Sequence, residues 1–241
     1  MIYKKPQLIN NEIYHVVSRT VGDTEVFDDE KDFYRGIFSI YEFNNANSVE
    51  IRLRRQQRKK EKAIESIEKA YGRPTSVDRR EKFVEVLAFS FMPNHLHLIL
   101  KQVKDDGIVK FMKKVNGGYA KYFNEKYNRK GHLFNKFRSV YIKDDDQLKN
   151  TFVYVHTNLI SLMEPGWKEK GITNPEKVKE FLENNKRHSY PDYLGKPTFA
   201  SVTQRDFLLD IMGGVEGCRA EVDNWIMYKK SLKDFGDIIL E

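Results

Sequence analysis

A chain of 241 residues with 40% hydrophobic and 13% aromatic content can bury a full core, which excludes an intrinsically disordered protein. Its 42 Lys and Arg against 35 Asp and Glu leave a net charge of +7, which favours a polyanionic partner without specifying one. The single cysteine, Cys218, excludes internal disulfides and a cysteine-rich zinc site and suits a reducing cytoplasm. "MIYKKPQLINNEIYHVV" lacks the apolar stretch of a signal peptide, and no run reaches the length of a membrane span. The expectation is a soluble, cytoplasmic protein.

"NEIYHVVSRT" (11–20) alternates and is rich in β-formers, so it reads as a strand. Asp28 or Asp29 then stands where a helix cap is needed, ahead of Phe33, Ile37, Ile40 and Tyr41 at helical spacing. Residues 50–82 are highly charged with few apolar anchors and break at "YGRPTS", the pattern of an exposed helical insertion. "FVEVLAFSFM" (83–92), the turn "PN" and "HLHLILKQV" (95–103) form a predicted hairpin. A helix follows over 107–128. Its Gly117-Gly118 pair lowers helix propensity and suits a close approach. A strand over 137–144 and a helix over 145–163, opened by acidic residues, complete the core.

The order strand, helix, hairpin, helix, strand, helix predicts an α+β fold. It matches a ferredoxin-like (RRM-like) split β-α-β-β-α-β antiparallel sheet with helices on one face. Residues 1–163 form the predicted core domain, with the insertion inside it. Residues 164–241 form a mostly helical C-terminal extension.

In a strand, residues i and i+2 share a face. His95, His97 and Ile99 therefore line one side of the sheet, while Leu96, Leu98 and Leu100 line the other as core. Two neighbouring imidazoles suit one metal ion, although His-Leu-His also arises as satisfied buried or surface histidines. In a helix, i and i+4 share a face, so Tyr154 and Asn158 of "FVYVHTN" stand one turn apart. An Asn158 amide oxygen would complete a set of two imidazoles and one neutral oxygen, with the Tyr154 phenol over a bound phosphate. Most of the 13 tyrosines must serve packing, so the combination informs more than either half.

The segments "YHVVSRTVGDTEVFDD", "MPNHLHLIL", "NGGYAKYFNEKYNRKGHLF", "FRSVYIKDDDQL" and "YVHTN" run in this order over residues 14–158. Together they resemble the single-tyrosine HUH transposases of the insertion-sequence 200/605 (IS200-like) group, most closely the REP-associated tyrosine transposases. "RHSYPDYLG" (187–195) is similar to that family's Trp-Ser-Ser-Tyr segment but lacks the Trp, and "NLISLMEPG" stands where the family continues into Pro-Val-Arg-Ala.

The resemblance implies that His95, His97 and Asn158 hold a divalent ion, Mg2+ or Mn2+, and that Tyr154 is the nucleophile. Imidazole ligands taken alone suit zinc, nickel or manganese better than magnesium. It also implies a DNA nicking and joining enzyme that cuts single-stranded DNA near hairpins. The intermediate would be a covalent 5′-phosphotyrosine, with a free 3′-hydroxyl. A catalytically silent DNA- or RNA-binding regulator on the same fold is the alternative. A metallohydrolase using His-x-His differently is a third reading, without a downstream His/Asp ligand series to support it. Family members are dimeric in some branches and monomeric in others, so a homodimer and a monomer both stay open.

Arg52, Arg54, Arg55, Arg58, Lys59 and Lys60 place six basic residues in nine. A solvated helix face is the default reading, and non-specific phosphate contact is the functional one. Lys113, Lys114 and Lys121 on the second core helix, and Lys136, Arg138 and Lys143 around the last strand, are further DNA-binding candidates. His15 and His132 are expected near the site in packing or hydrogen-bonding roles. His156, two residues from Tyr154, should point away from it.

Overall fold

A computed structural model describes residues 8–70, 78 and 80–227, without the side chains of Arg55, residues 62–70 and residues 169–170. Four strands, β1 (Ile13–Arg19), β2 (Val84–Phe91), β3 (His95–Gln102) and β4 (Arg138–Ile142), form one sheet in the order β2-β3-β1-β4. All three pairings are antiparallel. The connections run through α1 (Glu30–Glu42) and α3 (Gly107–Lys126), which makes this the expected ferredoxin-like sheet. Asp29 caps α1 by accepting from the backbone N–H groups of Lys31 and Asp32, and Asp144 caps α4 (Asp145–Thr157) by accepting from that of Gln147. The predicted helix over 145–163 is therefore α only to Thr157 and tightens to a 3-10 turn over Asn158–Leu162.

Alternation along the strands divides the core into two. Tyr14, Val16, Phe89, Phe91, Leu96, Leu98 and Leu100 face α1 and α3, where they meet Phe33, Ile40, Phe111 and Tyr119. The opposite face carries Ala88 and Ile99, with Leu87 delivered there by a β-bulge between Val86 and Ala88. This second face is covered too. Phe152 and Val155 of α4, with Leu159 and Ile160 beyond it, pack there with the C-terminal helices. The two ferredoxin-type helices share one face as expected, and α4 closes the other.

The Gly117-Gly118 pair has two different roles. A Cβ on Gly118 would collide with the Phe43 ring, whereas one on Gly117 would meet open space. Gly118→Val is expected to destabilise the protein by about 1–3 kcal/mol through overpacking. Gly117→Ala should be stabilising by about 0.5–1 kcal/mol through helix propensity. Paired urea titrations of the two variants check this difference in sign.

The charged insertion forms α2 (Ile51–Ala70). It is tied to α1 by Glu42, whose nearly inaccessible carboxylate lies 2.8 Å from Arg54 Nε and 3.0 Å from Arg58 Nε. These two arginines anchor the insertion to the core.

Past residue 164 lie α5 (Trp167–Lys170), α6 (Pro175–Asn184), α7 (Tyr190–Tyr193), α8 (Asp206–Met212) and α9 (Gly214–Met227). This extension lines the outer edge of β2. The Phe91 N–H donates to the Arg187 carbonyl at 2.7 Å, the Ser189 N–H to the Phe89 carbonyl at 3.0 Å, and the Phe89 N–H to Ser189 Oγ at 3.1 Å. Gln204 bonds both backbone groups of Val86 at 2.9 Å. "RHSY" therefore caps a sheet edge that would otherwise be open. Among the described residues no helix is long and apolar enough to cross a membrane.

Beneath that edge His156 and His188 are fully buried. His156 Nε2 lies 2.9 Å from Ser189 Oγ, and His188 reaches the Leu182 carbonyl at 2.8 Å and the His156 carbonyl at 3.1 Å. Burial pushes His188 down to about 4, and burial with the neighbouring His188 holds His156 well below the ordinary imidazole range. A depressed imidazole contributes stability above its unfolded value near 6.5 and loses it as pH falls. The protein is expected to lose about 3 kcal/mol through His188 alone between pH 6.5 and 4. His188→Gln should flatten that part of the stability–pH curve, as read by denaturant midpoints at each pH.

Candidate active site

β3 places His95 and His97 on the sheet face that α4 covers, and α4 with its 3-10 continuation brings Tyr154 and Asn158 over them. His97 is 1% exposed, Tyr154 5% and Asn158 6%. The His95 and His97 ring centroids lie 4.8 Å apart, and the Tyr154 ring stands edge-on to His97 at 5.7 Å. Asn158 Nδ2 lies 3.0 Å from His97 Nε2. All four side chains come from a single chain, so the cluster is complete in one protomer.

β1 contributes a fifth member. His15 Nε2 lies 3.0 Å from His97 Nδ1, with the two rings stacked at 5.2 Å and the Tyr154 ring 5.8 Å from His15. The strand register pairs Val17 with His97, Arg19 with His95, and Val17 with Arg138. Arg19 and Arg138 therefore rise from the histidine face of the sheet. Burial lowers the basicity of His97 well below that of a free imidazole. The other two histidines come next, and then the cations Lys168 and Arg19. A neutral His97 keeps a lone pair for a cation.

The donor set fits a divalent ion. Two imidazoles and an amide converge, and Ser90 Oγ, directly across from His97 in the β2–β3 register, is buried without a hydrogen-bond partner among the described residues. Among the described residues no three His, Cys, Asp or Glu cluster as a metal site, so the amide of Asn158 is needed to complete one.

The remaining expected residues divide by face. Lys113, Lys114 and Lys121 project from α3, on the other side of the sheet from His95 and His97. Lys114 Nζ donates to the carbonyls of Asn45 and Asn47, which fastens the entrance to α2. Arg52 and Lys59 are exposed on α2, Arg54 and Arg58 are paired with Glu42, and the side chain of Arg55 lies outside the described residues. Lys136 and Lys143 are exposed at the two ends of β4. His132 is exposed on the loop after α3 and is not part of the cluster, whereas His156 turns away toward Ser189 as its spacing predicts. Sequence reasoning missed Arg19, Asp23, Asn94 and Lys168. Arg19 was within reach of it, because it shares the alternation of His15 and Val17 on β1.

Residues 48–158 match the family model described as "Transposase IS200 like". Among solved structures the chain is similar to a REP-associated tyrosine transposase bound to a REP hairpin. The identity is 12% and the TM-score 0.48, covering 81% of this chain and 87% of that one. It is also similar to a bacterial tRNA(His) guanylyltransferase-like protein in complex with ATP, at 10% identity and a TM-score of 0.37, covering 74% and 71%. No functionally curated protein matches the sequence significantly. The matched residues 48–158, which hold His95, His97, Tyr154 and Asn158, are similar to the IS200-like transposases over a little under half of the chain.

Proposed function

We propose that this protein is a metal-dependent single-strand DNA nicking and joining enzyme of the HUH single-tyrosine type, acting near DNA hairpins through a phosphotyrosine. The observation that carries the reading is the convergence of His95, His97, Asn158 and Tyr154 from β3 and α4 of one chain. His95, His97 and the Asn158 amide would hold Mg2+ or Mn2+, which supplies Lewis-acid polarisation of the scissile phosphate. No carboxylate neutralises the site, so its charge remains available to an anionic substrate. Arg19, Arg138 and Lys168 add cations around it.

Tyr154 Oη attacks phosphorus as the bond to the 3′ oxygen breaks. The phenol gives up its proton and the departing oxygen gains one. The covalent ester conserves the bond energy, so the reverse attack by a 3′-hydroxyl rejoins the strand. Tyr154 and Asn158 both stand against the buried His97, whereas His95 is partly exposed, so a DNA phosphate would approach from the His95 side.

The test incubates end-labelled single-stranded hairpins from the DNA flanking the gene with protein and Mn2+ or Mg2+, followed by denaturing gels. A covalent protein–DNA band is expected, lost on chelation and lost in His95→Ala. Since the cluster lies in one protomer, the adduct rate at saturating DNA should not depend on protein concentration. Hairpin binding without an adduct under both metals would replace this reading with the silent regulator.

A further inference from the structure

His95 and His97 each have a hydrogen-bond partner at Nδ1, Asn94 for one and His15 for the other. His95 Nδ1 lies 2.6 Å from Asn94 Oδ1, while Asn94 Nδ2 donates to Asp23 Oδ1 at 3.2 Å. The carboxylate of Asp23 can only accept, so the Asn94 amide nitrogen faces it and the oxygen faces the imidazole. His95 must therefore donate through Nδ1–H. The turn carrying Asn94 is itself secured, because its carbonyl accepts from both the backbone N–H and Oγ1 of Thr20 at 3.0 Å. Arg19 holds Asp23 in turn, with Nε 3.1 Å from its carboxylate.

His97 is arranged the same way by a different neighbour. The Asn158 amide nitrogen, which only donates, faces His97 Nε2 at 3.0 Å, so Nε2 carries the lone pair. His97 Nδ1–H then donates to His15 Nε2 at 3.0 Å. His15 is completely buried and stacked on His97 with 15° between the ring planes.

We propose that His15 and Asn94 are positioning residues that hold His97 and His95 in the Nδ1–H tautomer, so that both present Nε2 to one divalent cation. The inference rests on the metal-site reading above. Which ring nitrogen is free to ligate is set by the hydrogen bond the other one makes. Here that choice is made before any ion arrives. Rotation of the Asn158 amide would then exchange its nitrogen for its oxygen toward the ion.

Long-range proton–nitrogen correlation spectra of the metal-free full chain read the tautomers directly, and Mn2+ titration followed by electron paramagnetic resonance reads affinity without turnover. The wild type should show both imidazoles as Nδ1–H. His15→Leu should release His97 from that tautomer and weaken Mn2+ binding about 10–100-fold. His15→Gln, whose amide oxygen can accept in place of Nε2, should restore both. Asn94→Ala should do the same to His95, and it carries the test together with His15→Gln should His15→Leu fail to fold. An unchanged His97 tautomer and unchanged affinity in folded His15→Leu overturn the proposal, as does an Nε2–H His97 in the wild type. A wild type with both Nδ1–H tautomers that takes up no Mn2+ overturns the metal-site reading itself, leaving the arrangement no cation to serve.

Discussion

Tyr154→Phe is expected to abolish the covalent protein–DNA adduct, with a loss of about 10,000-fold or more in cleavage, while the fold and Mn2+ uptake persist. The substitution removes one oxygen and leaves the ring, which is 5% exposed and edge-on to His97 and His15. Its stability cost is therefore that of one hydrogen-bonding group, about 0.5–1.5 kcal/mol. That separation makes the variant informative. A denaturing gel reports the adduct, and a thermal melt with Mn2+ titration reports the scaffold. An adduct that survives in Tyr154→Phe would mean that another hydroxyl attacks, and the role assigned to α4 would fail. Among the other tyrosines, Tyr119 is buried on the opposite face of the sheet with its hydroxyl directed at the Val26 carbonyl, far from the imidazoles in the topology.

The second large effect concerns the chain beyond residue 163. A protein ending there is expected not to fold cooperatively. Phe152, Val155 and Leu159 would lose the cover of Leu182, Tyr190, Tyr193, Leu208, Val222 and Trp225, all buried in the same core. Each such side chain contributes about 1.5–3 kcal/mol by burial, so six of them, about 9–18 kcal/mol together, are as large as the net stability of about 5–15 kcal/mol typical of a domain. The β2 edge would also lose its bonds to Arg187, Ser189 and Gln204. Circular dichroism melts and amide dispersion in a nitrogen–proton spectrum decide this. A truncated chain that melts cooperatively and still forms the adduct would establish residues 1–163 as a self-sufficient domain, with the remainder an accessory.

Much of the site was legible because its signals are local. Alternation in "HLHLIL" obliges His95 and His97 to share a face, and a four-residue spacing obliges Tyr154 and Asn158 to share another. The acidic residues before α1 and α4 mark their starts because a carboxylate satisfies N–H groups that the helix leaves open. The element order restricts the sheet to a small set of connections, of which β2-β3-β1-β4 is one.

Other features depended on partners distant in sequence, which no periodicity encodes. Basic residues are equally helical whether they meet solvent, DNA or a buried carboxylate. Only packing joined Arg54 and Arg58 to Glu42 and set the α3 lysines on the side away from the histidines. "RHSY" shows only a partial likeness to a family segment until Phe89 and Phe91 are seen bonding to it along the β2 edge. His15 and Asn94 acquire their meaning in the same way. The β1–β3 register brings His15 against His97, and the turn before β3 places Asn94 between Asp23 and His95. The sequence by itself determined which faces His95, His97, Tyr154 and Asn158 occupy, since a residue's face follows from its own strand or helix. Only the tertiary structure decided which faces meet and that His15 and Asn158 lie against His97, because those contacts close across 82 and 61 residues of chain.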